Sequence, residues 1–416
     1  MTHCARFLLR TICCLLLTLT ARSQDLVGIY LEWVQDPATT MIVNWVDLYP
    51  EGTTELYWRQ EGVADWKQAK AARRGIPPSG LHRCSLELTE LQPDTRYEIS
   101  IGNIPEKNAK PLFFRTMPRD LKARPVRFLN GGDTMATREM FEAMNRQAAL
   151  LEPDFVVLGG DLAYENGIWA MRVVEWLQSW TRTAVTKDGR LLPLVAGIGN
   201  HEVRGHYNGR APGDAPYYYG LFTLPDGRAS RTLDFGRYLS LVLLDSAHTE
   251  PIQGAQTQWL ERALLERTEQ QFLFPFYHSP AWGTTKAPKQ GTPLDNPVAI
   301  AIRSHWVPLF ERFGISAAFE HDHHNFKRTH RILDGKRDDE RGLLYLGDGA
   351  WGVLVRTVPA EGSAWWLAKA EARNHLWCID LRGDGVAAIR AFDSRGIVFD
   401  TVELDRARTK PAAPAR

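Results

Sequence analysis

Phe155-Val156-Val157-Leu158-Gly159-Gly160-Asp161-Leu162-Ala163-Tyr164 is the stretch that decides the fold. Its four leading apolar residues read as a buried parallel strand, and the glycine pair opens a turn at the carboxyl end. An open α/β sheet gathers its reactive groups at that end. Asp161 stands at the mouth of the turn, and Tyr164 follows three residues later at the entry of the next helical segment.

Outward from this stretch, strands alternate with helical segments. The pattern predicts strands over 126–129, 191–196, 239–244, 271–277 and 315–319, with helices over 137–151, 169–180, 256–265 and 298–313. From Gly342 it returns to strands, over 343–346, 352–355, 376–381, 386–392 and 397–402, which suggests a second sheet packed on the first. Residues 119–405 are therefore expected to form a layered α/β domain, a sandwich of two sheets flanked by helices. The polar connection 203–230, with Arg204, His206, Tyr207 and Tyr217 to Tyr219, is of a length that marks functional or mobile loops.

Residues 24–118 read differently. About seven short stretches rich in β-branched and aromatic residues, among them Met41-Ile42-Val43-Asn44-Trp45, are separated by Pro/Gly/Asp turns. An all-β sandwich is the economical arrangement. The turn Leu91-Gln92-Pro93-Asp94-Thr95-Arg96-Tyr97 resembles that of fibronectin type III domains. No ligand cluster lies here, so a supporting role is expected, with glycan binding by exposed tryptophans as the alternative.

A chain of 416 residues exceeds one ordinary core. Residues 1–23 read as a secretory signal, with His3, Arg6 and Arg10 before an apolar stretch and Ala21-Arg22-Ser23 as cleavage site. That places the protein outside the cytoplasm, secreted or periplasmic, with no membrane span after cleavage. Basic and acidic residues number 50 and 49; without residues 1–23 the balance is 47 to 49, a net −2. Near-neutrality gives no reason to invoke nucleic acid. Cys84 and Cys378 survive the cleavage, either free or paired across the domain contact. The basic, Pro/Ala-rich tail 406–416 is expected to be disordered.

Five polar clusters each follow a predicted strand: Asp133, Asp161, Gly199-Asn200-His201-Glu202, His278, and Glu320-His321-Asp322-His323-His324. Taken singly, the first three fit ordinary turns or caps and His278 a packed histidine, whereas the fifth cluster is harder to dismiss, although His-rich surface loops exist. Jointly, all lie at carboxyl ends of strands, where they can converge. Aspartate, asparagine, histidine and tyrosine form a mixed O/N set suited to Fe, Zn or Mn. One bridging carboxylate, Asp161, would let two cations clamp a phosphoryl group and acidify a bound water.

At these residues the chain resembles the purple acid phosphatases, within the calcineurin-like metallophosphoesterases. The resemblance rests on Gly132-Asp133, Gly160-Asp161-Leu162-Ala163-Tyr164, Gly199-Asn200-His201-Glu202, His278 and the 320–324 cluster, and it extends into the β-domain around Asp36-Pro37 through Trp45. It implies hydrolysis of phosphate monoesters on a small phosphorylated substrate, by attack of a metal-bound hydroxide. The first metal, Fe(III), would take Asp133, Asp161, Tyr164 and His324; the second, Zn, Fe or Mn, would take Asp161, Asn200, His278 and Asp322. Asn200 would touch the phosphate, and His201 would protonate the leaving alkoxide or hold the phosphate. Met135 and Glu320 replace glycines of the family pattern, and His321/His323 is the competing register of the fifth cluster. Lys286 and Lys289 stand where substrate-binding histidines are expected, either supplying charge to the phosphate or lying solvated on the surface. Alternative readings are a phosphodiesterase or nucleotidase on the same site, and a catalytically silent glycan-binding surface protein.

Overall fold

The structure, a computed structural model, describes residues 26–106, 111–205 and 209–405. The signal-like segment 1–23, the tail 406–416, and His206 and Tyr207 lie outside the described residues.

Eight N-terminal strands form two four-stranded antiparallel sheets. One sheet runs in the order Leu26–Glu32, Met41–Asp47, Leu81–Leu88, Ala72–Ile76; the other runs Lys67–Lys70, Glu55–Gln60, Arg96–Ile101, Leu112–Arg115. Alternation sends Met41, Val43 and Trp45 inward with Leu56, Ile99 and Phe114. The opposite face of the same strand is buried too, because the α/β domain covers it. Val27, Tyr30 and Val46 join a cluster with Trp176, Leu177 and Trp180 of helix Ala170–Thr183. Gly28 permits this approach: a Cβ there would lie 2.8 Å from both Leu177 O and Thr181 Oγ1. Trp33 and Trp45 are buried, packed as core and not as a sugar platform.

The α/β domain departs from the expectation of one parallel sheet with a later second one. Its strands divide between two sheets throughout. The first runs Leu194–Ala196, Phe155–Leu158, Val126–Gly131, His375–Leu381, Val386–Asp393, Val398–Asp405, parallel among the first three and antiparallel beyond. In the second, Leu239–Leu243, Phe272–Phe276, Ala318–Phe319 and Tyr345–Gly347 are parallel neighbours, bordered by Arg231–Phe235 on one side and by Phe326–Thr329 and Leu367–Glu371 on the other. The late strands 375–405 therefore extend the first sheet. Local periodicity identifies strands but not their partners, which depend on long-range closure.

Between the sheets, Phe128, Phe155, Phe274, Phe276, Phe319 and Trp377 interdigitate. Phe128 stacks on Phe155 at 5.0 Å and meets Phe274 edge-on at 6.0 Å. The outer face of the first sheet (Leu129, Val156, Leu158) packs on helices Arg138–Leu150 and Ala170–Thr183. Helices Thr257–Leu265, Pro297–His305 and Val307–Phe313 cover the second through Leu260, Ile302 and Phe310. The single helix expected over 298–313 is broken at Trp306, two residues before Pro308. In the connection 203–230, the described part folds into helix Pro216–Leu221, and Tyr218 donates to Ala196 O at 3.1 Å. Residues 352–355, expected as a strand, form a loop. Cys84 and Cys378 are buried free thiols, which settles their alternatives. Among the described residues no helix is long and apolar enough to cross a membrane.

Candidate metal centre

Face-to-face packing brings the carboxyl ends of both sets of parallel strands to one edge. Asp133 follows Val126–Gly131, Asp161 follows Phe155–Leu158, Asn200 follows Leu194–Ala196, His278 follows Phe272–Phe276, and the fifth cluster follows Ala318–Phe319. Asp133 and Asp161 both adopt left-handed backbone, with φ 56° and 53°, which turns the chain sharply away from the sheet. Their two turns bond each other: Asp133 N donates to Gly160 O at 3.0 Å and Thr134 N to Asp161 O at 2.9 Å.

Ligand-type atoms of Asp133, Asp161, His278 and Asp322 all lie within 4.8 Å of one another, and all four residues are buried. Around this core two groupings are visible. In one, Tyr164 Oη lies 3.3 Å from Asp133 Oδ1 and 3.1 Å from His324 Nε2, and the last two atoms are 3.0 Å apart. In the other, His278 Nε2 lies 3.3 Å from Asn200 Oδ1, 3.3 Å from Asp161 Oδ2 and 3.4 Å from Asp322 Oδ1. His278 Nδ1 meets Gly159 O at 3.0 Å; a carbonyl only accepts, so Nδ1 carries the proton and Nε2 faces the cluster.

Three buried carboxylates converging on one imidazole call for positive charge. Burial lowers the His278 pKa, but Asp161 and Asp133 overcome it and hold the ring well above its usual range. Burial raises Asp322, yet Lys286 and His278 hold it well below the usual carboxylate range. Asp161 Oδ2 is buried without a hydrogen bond of good geometry, an expensive condition for a carboxylate oxygen. A cation held there would satisfy it, so the donor set of Asp133, Asp161, His278 and Asp322 fits a metal centre. The Tyr164 phenol is raised well above 10 by burial, then by the charges of Asp133 and Asp161. Only a strong Lewis acid would take it as phenolate.

The fifth cluster divides. Asp322 and His324 face the core, whereas His321 and His323 are engaged elsewhere. His321 Nδ1 donates to Tyr277 O at 2.8 Å, and its ring fills the space over Gly159, where a Cβ would fall 1.9 Å from it. His323 Nδ1 accepts from Thr284 N and Thr285 N, each at 3.0 Å. Lys286 is neither isolated nor aimed only at solvent, since its ammonium pairs with Asp322 Oδ1. Lys289 is exposed.

Several supporting residues escaped the sequence reading. Glu202 accepts from Asp161 N at 2.8 Å, Leu162 N at 2.7 Å and Gly199 N at 2.7 Å, so it ties the second turn to the third. Its bond to Gly199 N is the return half of a capping box, but glycine has no side chain to complete one, so the sequence signature was absent. Asn166 Oδ1 lies 2.6 Å from His201 Nδ1, and His201 N donates to Asp161 Oδ1 at 2.8 Å. Behind the fifth cluster, wholly buried Lys327 pairs with Glu320, with Asp348 Oδ1 at 2.8 Å and with Trp282 O at 2.7 Å. Asp348 O in turn accepts from His323 N and His324 N. Glu320, read as a departure from a glycine, is thus half of an internal ion pair that backs the ligand loop.

Residues 26–116 match the purple acid phosphatase N-terminal domain, and residues 127–325 match the calcineurin-like phosphoesterase family. Two uncharacterized proteins of Mycobacterium tuberculosis, from two strains, are each 23% identical over 360 residues. The match spans 76% of this chain and 64% of those proteins, so the chain accounts for less than two thirds of their length. The purple acid phosphatase PPD1 from yellow lupin (Lupinus luteus) seeds superimposes with a TM-score of 0.74. It covers 91% of this chain and 74% of the lupin protein at 16% identity, a likeness of fold. Two consecutive family matches on two consecutive domains, with the cluster built where the second domain's strands end, make this chain a member of the calcineurin-like phosphoesterases that carries the purple acid phosphatase N-terminal domain.

Proposed function

We propose that this chain hydrolyses phosphate monoesters at a binuclear metal centre. The observation that carries the reading is Asp161 Oδ2, buried without a hydrogen bond of good geometry in the cluster with Asp133, His278 and Asp322. Asp133, Tyr164 and His324 would hold one cation and Asn200, His278 and Asp322 the other, with Asp161 shared. Phenol and imidazole favour Fe(III) in the first place, and Asp322 in place of an imidazole makes the second harder, suited to Zn, Fe or Mn. The cations would polarise the phosphoryl oxygens and lower the pKa of a bound water.

The protein's own groups do the rest. Glu202 fixes the backbone that carries Asp161. His201 packs its ring on Tyr164 at 4.4 Å and donates its Nδ1 hydrogen bond to Asn166 Oδ1; as the imidazolium it would carry a second proton on Nε2, the one to pass to a departing alkoxide. Asn200 and His201 would bind the phosphate before reaction. Export, proposed from the basic start and apolar stretch of residues 1–23, would place this activity outside the cytoplasm.

Metal analysis after purification without chelator is expected to find about two ions per chain. A visible absorption band from phenolate bound to Fe(III) would identify the first of them. Turnover of an aryl phosphate with Fe, Zn or Mn is the functional test; none with any metal rejects the reading. Faster turnover of a bis-aryl phosphate would move it to diesters.

A further inference from the structure

We propose that the site accepts phosphoesters whose alcohol is extended and apolar, seated in a groove formed by Trp169, Leu354 and Val355. This rests on the phosphoesterase reading and adds the class of substrate. A cavity of about 540 Å³ opens beside the cluster, with Tyr164 and His324 in its lining together with Trp169, Leu354, Val355 and Arg356. Its volume is that of a small-molecule site.

Trp169 is 57% exposed and Leu354 75% exposed, and both line this groove together with Tyr164 and His324. Large apolar side chains left in water beside buried polar groups mark a binding surface. Leu354 and Val355 belong to the stretch that reads as a strand from its residues and is instead a loop. A local pattern that fails at one place is expected where function competes with folding.

The loop is held firmly to the backbone that carries the ligands. Gly352 N donates to Asp133 O at 3.1 Å, and Ala136 N returns to Gly352 O at 2.8 Å. Arg356 N donates to His324 O at 3.0 Å and its Nη1 to Asp322 O at 3.1 Å, while Asn374 Nδ2 bonds Val353 O at 2.7 Å. Trp169 N donates to Glu165 O at 2.8 Å, one residue beyond Tyr164. The apolar walls are therefore fixed relative to the place where a phosphoryl group would sit. That geometry lets binding of the alcohol orient the ester.

The test uses the metal-loaded full chain with Trp169→Ala and Leu354→Ser, both exposed positions whose substitution leaves the core intact. The ratio of kcat/KM for 2-naphthyl phosphate to that for methyl phosphate is expected to fall about tenfold in each. A ratio that stays within about twofold of wild type overturns the proposal. In parallel, 2-naphthol alone is titrated and followed by ligand NMR; saturable binding weakened in Leu354→Ser is expected, and none in wild type overturns the groove. Turnover without preference rejects the groove and leaves the phosphoesterase reading. Binding of 2-naphthol with no turnover of any phosphoester overturns this proposal together with the reading beneath it.

Discussion

The two groupings around Asp161 are built from different materials. The one at Asp133, Tyr164 and His324 joins a carboxylate to a phenol and an imidazole, and it borders the apolar groove. The one at Asn200, His278 and Asp322 joins a carboxylate to an amide and an imidazole and is faced by the Lys286 ammonium. Yet His324 and Asp322 sit on one loop, two residues apart, so the groupings share a support while differing in chemistry. The lesson is that a symmetrical-looking pair of half-sites can be separated by substitution at its tips and not at its base.

The largest effect is expected at Asp161. Asp161→Ala should take metal content from about two ions per chain to fewer than one and abolish turnover, as read by elemental analysis. Equal metal in variant and wild type would remove the bridging role. Next comes the common support. Lys327→Met leaves Glu320 and Asp348 buried without their cation, which should cost about 3–5 kcal/mol in urea unfolding. Unlike any tip substitution, it should loosen both ions together.

The tips then separate the halves. Asn200→Ala should lose mainly one ion and keep the visible band, since Asn200 lies with His278 and away from Tyr164. Tyr164→Phe should do the reverse, losing the band while metal content drops less. If both variants lose the same ion, the division into two groupings is wrong. Smallest of all, Lys286→Ala removes a competitor for Asp322 and should raise affinity for the second ion by only about twofold to fivefold, its ammonium being one-third exposed.

How far the sequence reaches differs between elements. Helix 137–151 was legible from its regular apolar spacing; the structure starts it one residue later, at Arg138–Leu150, with Thr137 as the cap, its Oγ1 accepting from Met140 N at 3.3 Å. The loop at 352–355 was misread because two β-branched residues and a leucine look like a strand wherever they stand. Asn166, Glu202 and Lys327 carried no signal of their own roles. Asn166 meets His201 35 residues away, Glu202 takes the N–H of Asp161 41 residues away, and Lys327 reaches the Trp282 carbonyl 45 residues away.

By itself the sequence determined the inventory: an all-β region before an α/β one, and acidic, amide and imidazole groups placed after apolar strands. Those features are local, set by period and by turn residues, and they need no knowledge of the rest of the chain. Tertiary structure alone decided that the strands divide between two sheets, that Asp322 and His324 face inward while His321 and His323 turn away, and that Lys327 neutralises Glu320. Such choices follow from which buried surfaces and charges must satisfy one another once the sheets close, a condition that no short stretch contains.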